Sequence, residues 1–519
     1  YSVDVATALK KQTTVTQLGN FDARTLLAKL LEQAKAAEKA SRHSWSNFLS
    51  CRQTQVAREE LRDVLELMAR LPSDELVSVD VVSTMQDIGV DSEIIETFEP
   101  YFRCRVPNKM FWSLQGPSKT SQDFFPVGVM PREEPYGVTV AFNLLDESGS
   151  SATTIADICK WEQFDIFAYA RNKPAGTLFG ALFYTVVDFD SMSPLGLSWP
   201  SVLATLQVAQ KSYESPLDGE VNTYHTALHG ADVLCSVTAM LTKLPVACFG
   251  EPLSPLTMFS IAIAALLHDY RHPGVQATFL VSIRDPLAIM YSDDTVLERM
   301  HAAAIFQLLA QHQCLDAFSH NQYCGFRRIV IELVMTTDFS KGMKTVAEVT
   351  AAFAPFFSDA LNREPTPAGL KSPTGSCMEG ATQQLLNLVI ECADISHPAR
   401  PWAIHKCWSV LVTQEMQAQG KLEIKRGMEV SPLCKPITGD SFSKGQQGFI
   451  EYCVAPKIRV LAGLCDSDTG WLKHLEANHA LYKLHDLDFH KLCDEVFEAC
   501  EEAVQCSRAS VDQRAHEIS

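Results

Sequence analysis

The sequence predicts an all-α protein: a compact multi-helix domain with a helical segment ahead of it. Three observations predict it. Apolar residues recur at three- and four-residue spacing, as in Leu26, Leu27, Leu30, Leu31 and Ala34, which is the period of one helix face. The punctuation is helical: Ser254-Pro255 opens an apolar run, Pro273-Gly274 ends the segment beyond it, and His397-Pro398 comes after the run from Thr382 to Asp394. Strand signals are weak, with one candidate short strand at Val138 to Phe142.

Taken in order, residues 22–70 are rich in Ala, Leu, Glu, Lys and Gln and read as helix. Residues 71–101 read as two or three shorter helices, broken at Leu71-Pro72-Ser73-Asp74 and at Gly89. Five prolines (Pro107, Pro117, Pro126, Pro131, Pro135) mark 105–137 as an irregular linker. The helical pattern resumes near 153 and runs to about 483, interrupted by a loop over 357–378 that carries Pro365, Pro367, Gly369, Pro373 and Gly375. The last stretch, 484–519, is charged and expected to be a solvated helix or a frayed tail. The division is therefore 1–135 for an N-terminal regulatory or docking segment and linker, 136–483 for the main helical domain and 484–519 for the tail.

Composition narrows the function. The 519 residues are 46% hydrophobic and 20% charged, which excludes a disordered chain. Asp and Glu outnumber Lys and Arg by 62 to 44, giving a formal charge of -18. That balance opposes broad binding to nucleic acid or anionic membrane. No apolar run reaches the about 18 residues that span a bilayer; the best, Leu256 to Leu267, contains Thr257 and Ser260 and reads as a buried core helix. Sixteen cysteines are spread from Cys51 to Cys506 with no Cys-x-x-Cys pair, as expected of reduced thiols in a cytoplasmic protein. The first residue is Tyr1, so the natural N-terminus is expected upstream, with room for a targeting segment.

Nine of the fifteen histidines lie between 225 and 405. His225 and His229 are four apart, so on a helix they share a face. His268-Asp269 ends the apolar run Ile261 to Leu267, His272 comes four residues later, and Asp394 ends a second apolar run from Leu385. Charged groups at the buried ends of apolar helices are costly unless paired or bound to metal. A single His-x-x-x-His is usually a surface or satisfied core pair. The ordered set His229, His268-Asp269 and Asp394 is far more specific. Two imidazoles and two carboxylates suit a divalent ion of the zinc, manganese or iron kind. Asp269 can also bridge to a harder ion that keeps its waters, as magnesium does. Two such ions activate water at neutral pH and clamp a phosphoryl group, as phosphodiester hydrolysis requires.

The order His, His-Asp, Asp resembles the HD-type metal-dependent phosphohydrolases, and the surrounding residues resemble class I cyclic nucleotide phosphodiesterases. Tyr224 to Val233 read YHTALHGADV, against Tyr-His-Asn-x-x-His-Ala-x-Asp-Val in that family. His268 to Gly274 read HDYRHPG, against His-Asp-x-(Asp/Glu)-His-(Pro/Thr)-Gly. Further matches are LAIMYSDDTVLE (Leu287 to Glu298), MTTDFSKGM (Met335 to Met343), CADISHPA (Cys392 to Ala399), SPLC (Ser431 to Cys434) and GQQGFIEY (Gly445 to Tyr452). They span about 160–480, and HDY and ADISHP look most like the calcium/calmodulin-dependent class.

The resemblance implies the family's all-α catalytic fold, hydrolysis of cAMP or cGMP to the 5′-monophosphate, and a role for each matching residue. His229, His268, Asp269 and Asp394 would hold a zinc-like first metal, with Asp269 bridging to magnesium or manganese. Glu298 and Thr337 would bond waters on that second ion, with His272 nearby. His225 would protonate the leaving oxygen, oriented by Glu415. Gln446 would bond the purine, Phe449 and Val412 would clamp it, His397 would stand at its edge, and Tyr224 would line the pocket. An imidazole with one nitrogen fixed by a carboxylate is a competent acid near pH 7, and an amide carries both donor and acceptor. Phe449 and Val412 also fit ordinary core packing.

Three positions depart from the family pattern: Thr226 stands for Asn, Arg271 for an acid, and Met300 for the first His of Leu-Glu-x-His-His. They motivate an alternative, a catalytically weakened member kept as a scaffold, by analogy in a cilium or flagellum. A third reading is an HD-type enzyme on another phosphoester, against which Gln446 and Phe449 speak. Ahead of the domain, residues 24–58 carry seven Lys/Arg and two acids, with Trp45, Phe48 and Leu49 as candidate anchors. A basic amphipathic helix of this kind is a candidate calmodulin target; a solvated face or another docking partner fits the same composition.

Overall fold

The computed structural model describes residues 153–508, apart from 174–175, 189, 220, 355, 357–375, 466–467 and 485–486. The readings of residues 1–152, including the short strand at 138–142 and the basic stretch at 24–58, lie outside the described residues, as does most of the expected loop over 357–378.

Among the described residues the fold is all-α. Its helices are α1 (Ile155–Cys159), α2 (Ile166–Arg171), α3 (Leu178–Val186), α4 (Trp199–Lys211), α5 (Ala227–Lys243), α6 (Pro255–Leu267), α7 (Ala277–Ser282), α8 (Pro286–Met290), α9 (Val296–Gln311), α10 (His320–Thr336), α11 (Gly342–Ala352), α12 (Ser376–Asp394), α13 (Trp402–Lys425), α14 (Ser441–Gly448), α15 (Ala455–Gly463), α16 (Trp471–Leu484) and α17 (Phe489–Arg508). No strand forms among them; a single parallel bridge pairs Glu214 with His272.

The run at 255–267 is the buried helix expected. Ser254 caps α6 by accepting the amide N–H of Thr257, and Pro255 occupies the first turn, where its missing N–H costs nothing. Phe259 to Leu267 are all buried, and α6 packs against α5 and α10. Full burial of Leu266 or Leu267 contributes roughly 1.5–3 kcal/mol each. α5 approaches closely because residue 230 is glycine: a Cβ there would lie 2.4 Å from the Leu266 carbonyl and 2.7 Å from the Tyr213 hydroxyl. These contacts bring His229, on α5, beside His268 at the end of α6.

Between α14 and α15 the chain widens into a π-helical segment, Phe449–Val454. Pro456, in the first turn of α15, has no N–H to return to the preceding turn.

The C-terminal expectation requires correction. Residues 489–508 form a helix, as one of the two expected alternatives has it, but α17 is not solvated all round: it packs on α2, α4, α5 and α13. Phe489, Leu492, Val496, Cys500, Ala503 and Val504 are buried at helical spacing. The charged residues that suggest a tail are mainly on its outer face, with Glu495, Glu501 and Glu502 exposed.

Candidate active site and metal centre

Three helix ends and one long helix build the heart of the site. His229 sits in the first turn of α5, His268 and Asp269 come directly after α6, and Asp394 ends α12. Their ligand atoms lie within 4.8 Å of one another. His229 Nε2 is 3.0 Å from Asp394 Oδ1, and His268 Nε2 is 3.0 Å from Asp269 Oδ2 and 3.3 Å from Asp394 Oδ1. The neighbours set the tautomer. His268 Nδ1 lies 3.0 Å from the Ala265 carbonyl and donates to it, so Nε2 turns its lone pair toward the two carboxylates. Acceptors facing acceptors need a cation between them. Without one, Asp269 and Asp394 draw the His268 pKa well above its usual value, against the effect of burial. The donor set fits a borderline divalent ion, and the backbone bond to Nδ1 is the outer support such a ligand needs.

A second group shares Asp269. His272, His301 and Asp269 also bring their ligand atoms within 4.8 Å. His301 Nδ1 donates to the Tyr270 carbonyl at 2.9 Å and leaves Nε2 3.5 Å from Asp269 Oδ1. His272 accepts the Gly274 N–H on Nδ1 at 3.0 Å. Burial holds both imidazoles neutral, His301 at about 4 and His272 well below its usual pKa, where the charge on His225 adds to the effect. His301 is the surviving histidine of Leu-Glu-x-His-His; that match is its signal in the sequence, which on its own does not assign it to the site.

His225 stands between the two groups. The i, i+4 spacing suggests that it shares a helix with His229, but α5 starts only at Ala227 and His225 precedes it. Glu415, on α13, explains why. Its Oε2 accepts the backbone N–H groups of Thr223, Tyr224 and His225 at 3.0, 2.9 and 3.0 Å, so these amides are turned to a carboxylate instead of a helix. Its Oε1 takes a short hydrogen bond from His225 Nδ1. His225 Nε2 then faces the metal centre, 3.9 Å from Asp269 Oδ2. Burial opposes charge on this ring, but Glu415, Asp269 and Asp394 outweigh it and raise its pKa to about 9. For Glu415, burial works upward, but the charge and hydrogen bond of His225 prevail and hold it at about 2. The His225 ring stacks on His272 at 3.8 Å between centroids.

Glu298 lies in the first turn of α9, outside the groups that come within 4.8 Å. Burial, with Asp338 and Asp269 adding, raises its pKa to about 8. Thr337 caps the end of α10 and donates to the Val334 carbonyl at 2.8 Å.

The remaining residues line a neighbouring wall. The Tyr224 hydroxyl donates to the Asp394 carbonyl at 3.4 Å. His397 lies parallel to Phe449, with centroids 5.8 Å apart, and its Nδ1 is 2.9 Å from Nδ1 of buried His405, a partner the sequence spacing does not single out. Val412 is half-buried on α13, one turn before Glu415. Gln446, on α14, is buried, and its Oε1 has no hydrogen-bond partner among the described residues. A buried acceptor left open is the mark of a group that awaits a ligand or water.

The three departures lie in different surroundings. Arg271 takes a left-handed φ of 67° and is half-buried, while the charges that most affect Asp269 are histidine charges. Met300 packs against an apolar cluster with Phe279, Leu280 and Leu297. Thr226 is fully buried at the cap of α5, and its hydroxyl has no hydrogen-bond partner among the described residues.

This arrangement has known counterparts. The family model for 3′5′-cyclic nucleotide phosphodiesterase matches residues 224–475, which hold the four metal-centre residues, His225, Glu415 and Gln446. This region is similar to the class I cyclic nucleotide phosphodiesterases. Among its relatives, 3′,5′-cyclic-AMP phosphodiesterase 4C of Mus musculus is 29% identical over 70% of this chain and 50% of its own length. The Rattus norvegicus protein of the same name is 29% identical over 71% and 64%. Dual specificity calcium/calmodulin-dependent 3′,5′-cyclic nucleotide phosphodiesterase 1C of Homo sapiens is 28% identical over 60% and 40%. The chain thus spans about half the length of the curated relatives it matches. The fold is that of the phosphodiesterase domain of the RhoPDE fusion protein from Salpingoeca rosetta, with a TM-score of 0.51, 20% identity, and coverage of 66% of this chain and all of that domain.

Proposed function

We propose that this chain hydrolyses 3′,5′-cyclic nucleotides, cAMP and cGMP, to 5′-nucleoside monophosphates. One observation carries the reading: an imidazole clamped by a carboxylate, His225 on Glu415, is aimed at a shared centre of two histidines and two aspartates. His229, His268, Asp269 and Asp394 would hold a zinc-like ion; Asp269, with Glu298, Thr337, His272 and His301 around it, would serve magnesium or manganese. When bound, these ions supply an activated water and neutralise the phosphate. His225 gives its Nε2 proton to the 3′ oxygen as the P–O3′ bond breaks, so the ribose leaves as an alcohol and water supplies the new oxygen on phosphorus. Glu415 fixes the other nitrogen and stabilises the imidazolium before transfer.

Phe449 and Val412 grip the purine with His397 at its edge, Tyr224 lines the pocket, and Gln446 reads the base. The Gln446 amide oxygen has no hydrogen-bond partner among the described residues, and an amide can meet either purine with donor or acceptor. The same residues favour this substrate over other phosphoesters. The intact first centre and clamped acid favour catalysis over a scaffold role. The test is product analysis: purified protein with magnesium or manganese should release 5′-AMP and 5′-GMP. Release of 3′-monophosphates, or no product from folded, metal-loaded protein, would overturn the reading. Residues 24–58 are proposed as a calmodulin site on their basic, aromatic-anchored pattern, and by analogy with the human relative, which is named calcium/calmodulin-dependent.

A further inference from the structure

We propose that Arg508, at the end of α17, is a positioning residue that holds the loops of His225 and His272; its effect on turnover rests on the function proposed above. The contacts form a continuous chain. Arg508 Nε and Nη2 donate to the two oxygens of Glu214 at 2.8 and 2.9 Å, and Nη2 also donates to the Asn222 carbonyl. Asn222 joins the two loops: its Nδ2 donates to the His225 carbonyl at 3.0 Å and to the His272 carbonyl at 2.9 Å. The segment after Glu214 runs along the second loop, where Ser215 and Leu217 donate N–H groups to the carbonyls of His272 and Pro273 at 3.0 and 3.1 Å. Glycine at 274 permits this junction, since a Cβ there would lie 2.3 Å from Asn222 Oδ1, and its φ is 72°.

The helix end is itself fixed. Buried Gln210 donates to the Ser507 carbonyl at 2.8 Å and accepts the Phe179 N–H at 3.0 Å. A guanidinium can fork to a carboxylate and still reach a carbonyl; an ammonium cannot match that plane. Arg508 and Asn222 are 286 positions apart, so the C-terminal helix closes the domain onto the two histidines that stack on each other at 3.8 Å. Arg508 touches none of the reacting atoms. Its role is to fix the backbone that carries them.

The test compares Arg508→Ala, Arg508→Lys and Glu495→Ala in the full chain. Glu495 tethers the same helix through an exposed bond to Lys406 at 2.9 Å, away from the two loops, and serves as the control. Arg508→Ala should speed hydrogen exchange of the amides at 222–226 and 272–275 and lower kcat by about 10- to 100-fold with KM within about twofold. Arg508→Lys should recover part of both losses, and Glu495→Ala should change neither. Exchange and kcat in Arg508→Ala that match wild type, or that match Glu495→Ala, would overturn the proposal. Should Arg508→Ala not fold, Arg508→Lys alone decides: wild-type exchange and kcat would overturn the proposal, and a partial loss of both would support it. A wild-type protein that turns over neither nucleotide would sink the functional reading, and exchange at the two loops would still decide the anchoring.

Discussion

The two halves of the metal centre differ in how the protein holds them. On one side, His229, His268, Asp269 and Asp394 stand on helix ends set by deep core packing and face one another directly. On the other, Glu298 and Thr337 stand back from the ligand groups, and Arg271 and Met300 depart from the family pattern nearby. A hard ion that keeps its waters is served largely through those waters, so its protein contacts tolerate change that a directly ligated ion does not. Arg271 and Met300 therefore fall where the protein acts at one remove, whereas Thr226 caps the helix that carries His229.

The largest effect separating the halves is expected at the first. Asp394→Asn should abolish turnover and release bound zinc, read by metal analysis of the purified variant. Retained zinc and activity would show that the tight cluster is not the primary ion site. Next comes the acid between them. Glu415→Gln should lower kcat about 10- to 100-fold and shift the alkaline limb of the rate profile. On the proposed mechanism His225 acts when protonated, so wild-type activity should fall as pH rises through about 9. Without the Glu415 charge, that fall should move to lower pH. An unmoved limb would mean that Glu415 does not set the acid.

The second half should respond more weakly. Glu298→Gln should raise the half-saturating magnesium concentration about tenfold with little change in zinc content. In the wild type the same constant should improve as pH rises through about 8, where buried Glu298 loses its proton, and that dependence should vanish in the variant. Met300→His should lower the half-saturating magnesium only a few-fold, by roughly 1 kcal/mol or less, because Met300 packs in an apolar cluster. A gain as large as the loss in Glu298→Gln would place position 300 directly on the ion. The smallest expected effect on catalysis belongs to residues 24–58: calcium-loaded calmodulin should bind a 24–58 peptide, and Lys35→Glu with Lys39→Glu should weaken that binding without touching metal content.

The same contrast explains what is legible in the sequence. The first cluster can be read because each carboxylate and His268 end an apolar run, and an ionisable group there requires a partner. The core helix at 255–267 and its Ser254-Pro255 start are equally plain, being local. Spacing places His225 on a helix, wrongly, because its backbone is set by Glu415, 190 positions away, which spacing alone does not report. His301 has a signal in the Leu-Glu-x-His-His match, whereas Asn222 acts through contacts with two other loops that no motif records. The C-terminal helix reads as a solvated helix or a tail when its charges are weighed above its stripe of Phe489, Leu492, Val496 and Cys500. That stripe is present in the sequence, and it lacks only a visible surface to cover.

The proposed function turns on one step, in which a carboxylate-clamped His225 delivers a proton to a phosphoester held at the metal centre. Its most direct test is steady-state hydrolysis of cAMP and cGMP by purified protein and by His225→Ala, each with magnesium or manganese and with zinc content measured. Turnover by the wild type is expected, with a loss of about 10²- to 10⁴-fold in the variant at unchanged zinc content. Equal rates in the two proteins, or no turnover by folded, metal-loaded wild type, would contradict that step.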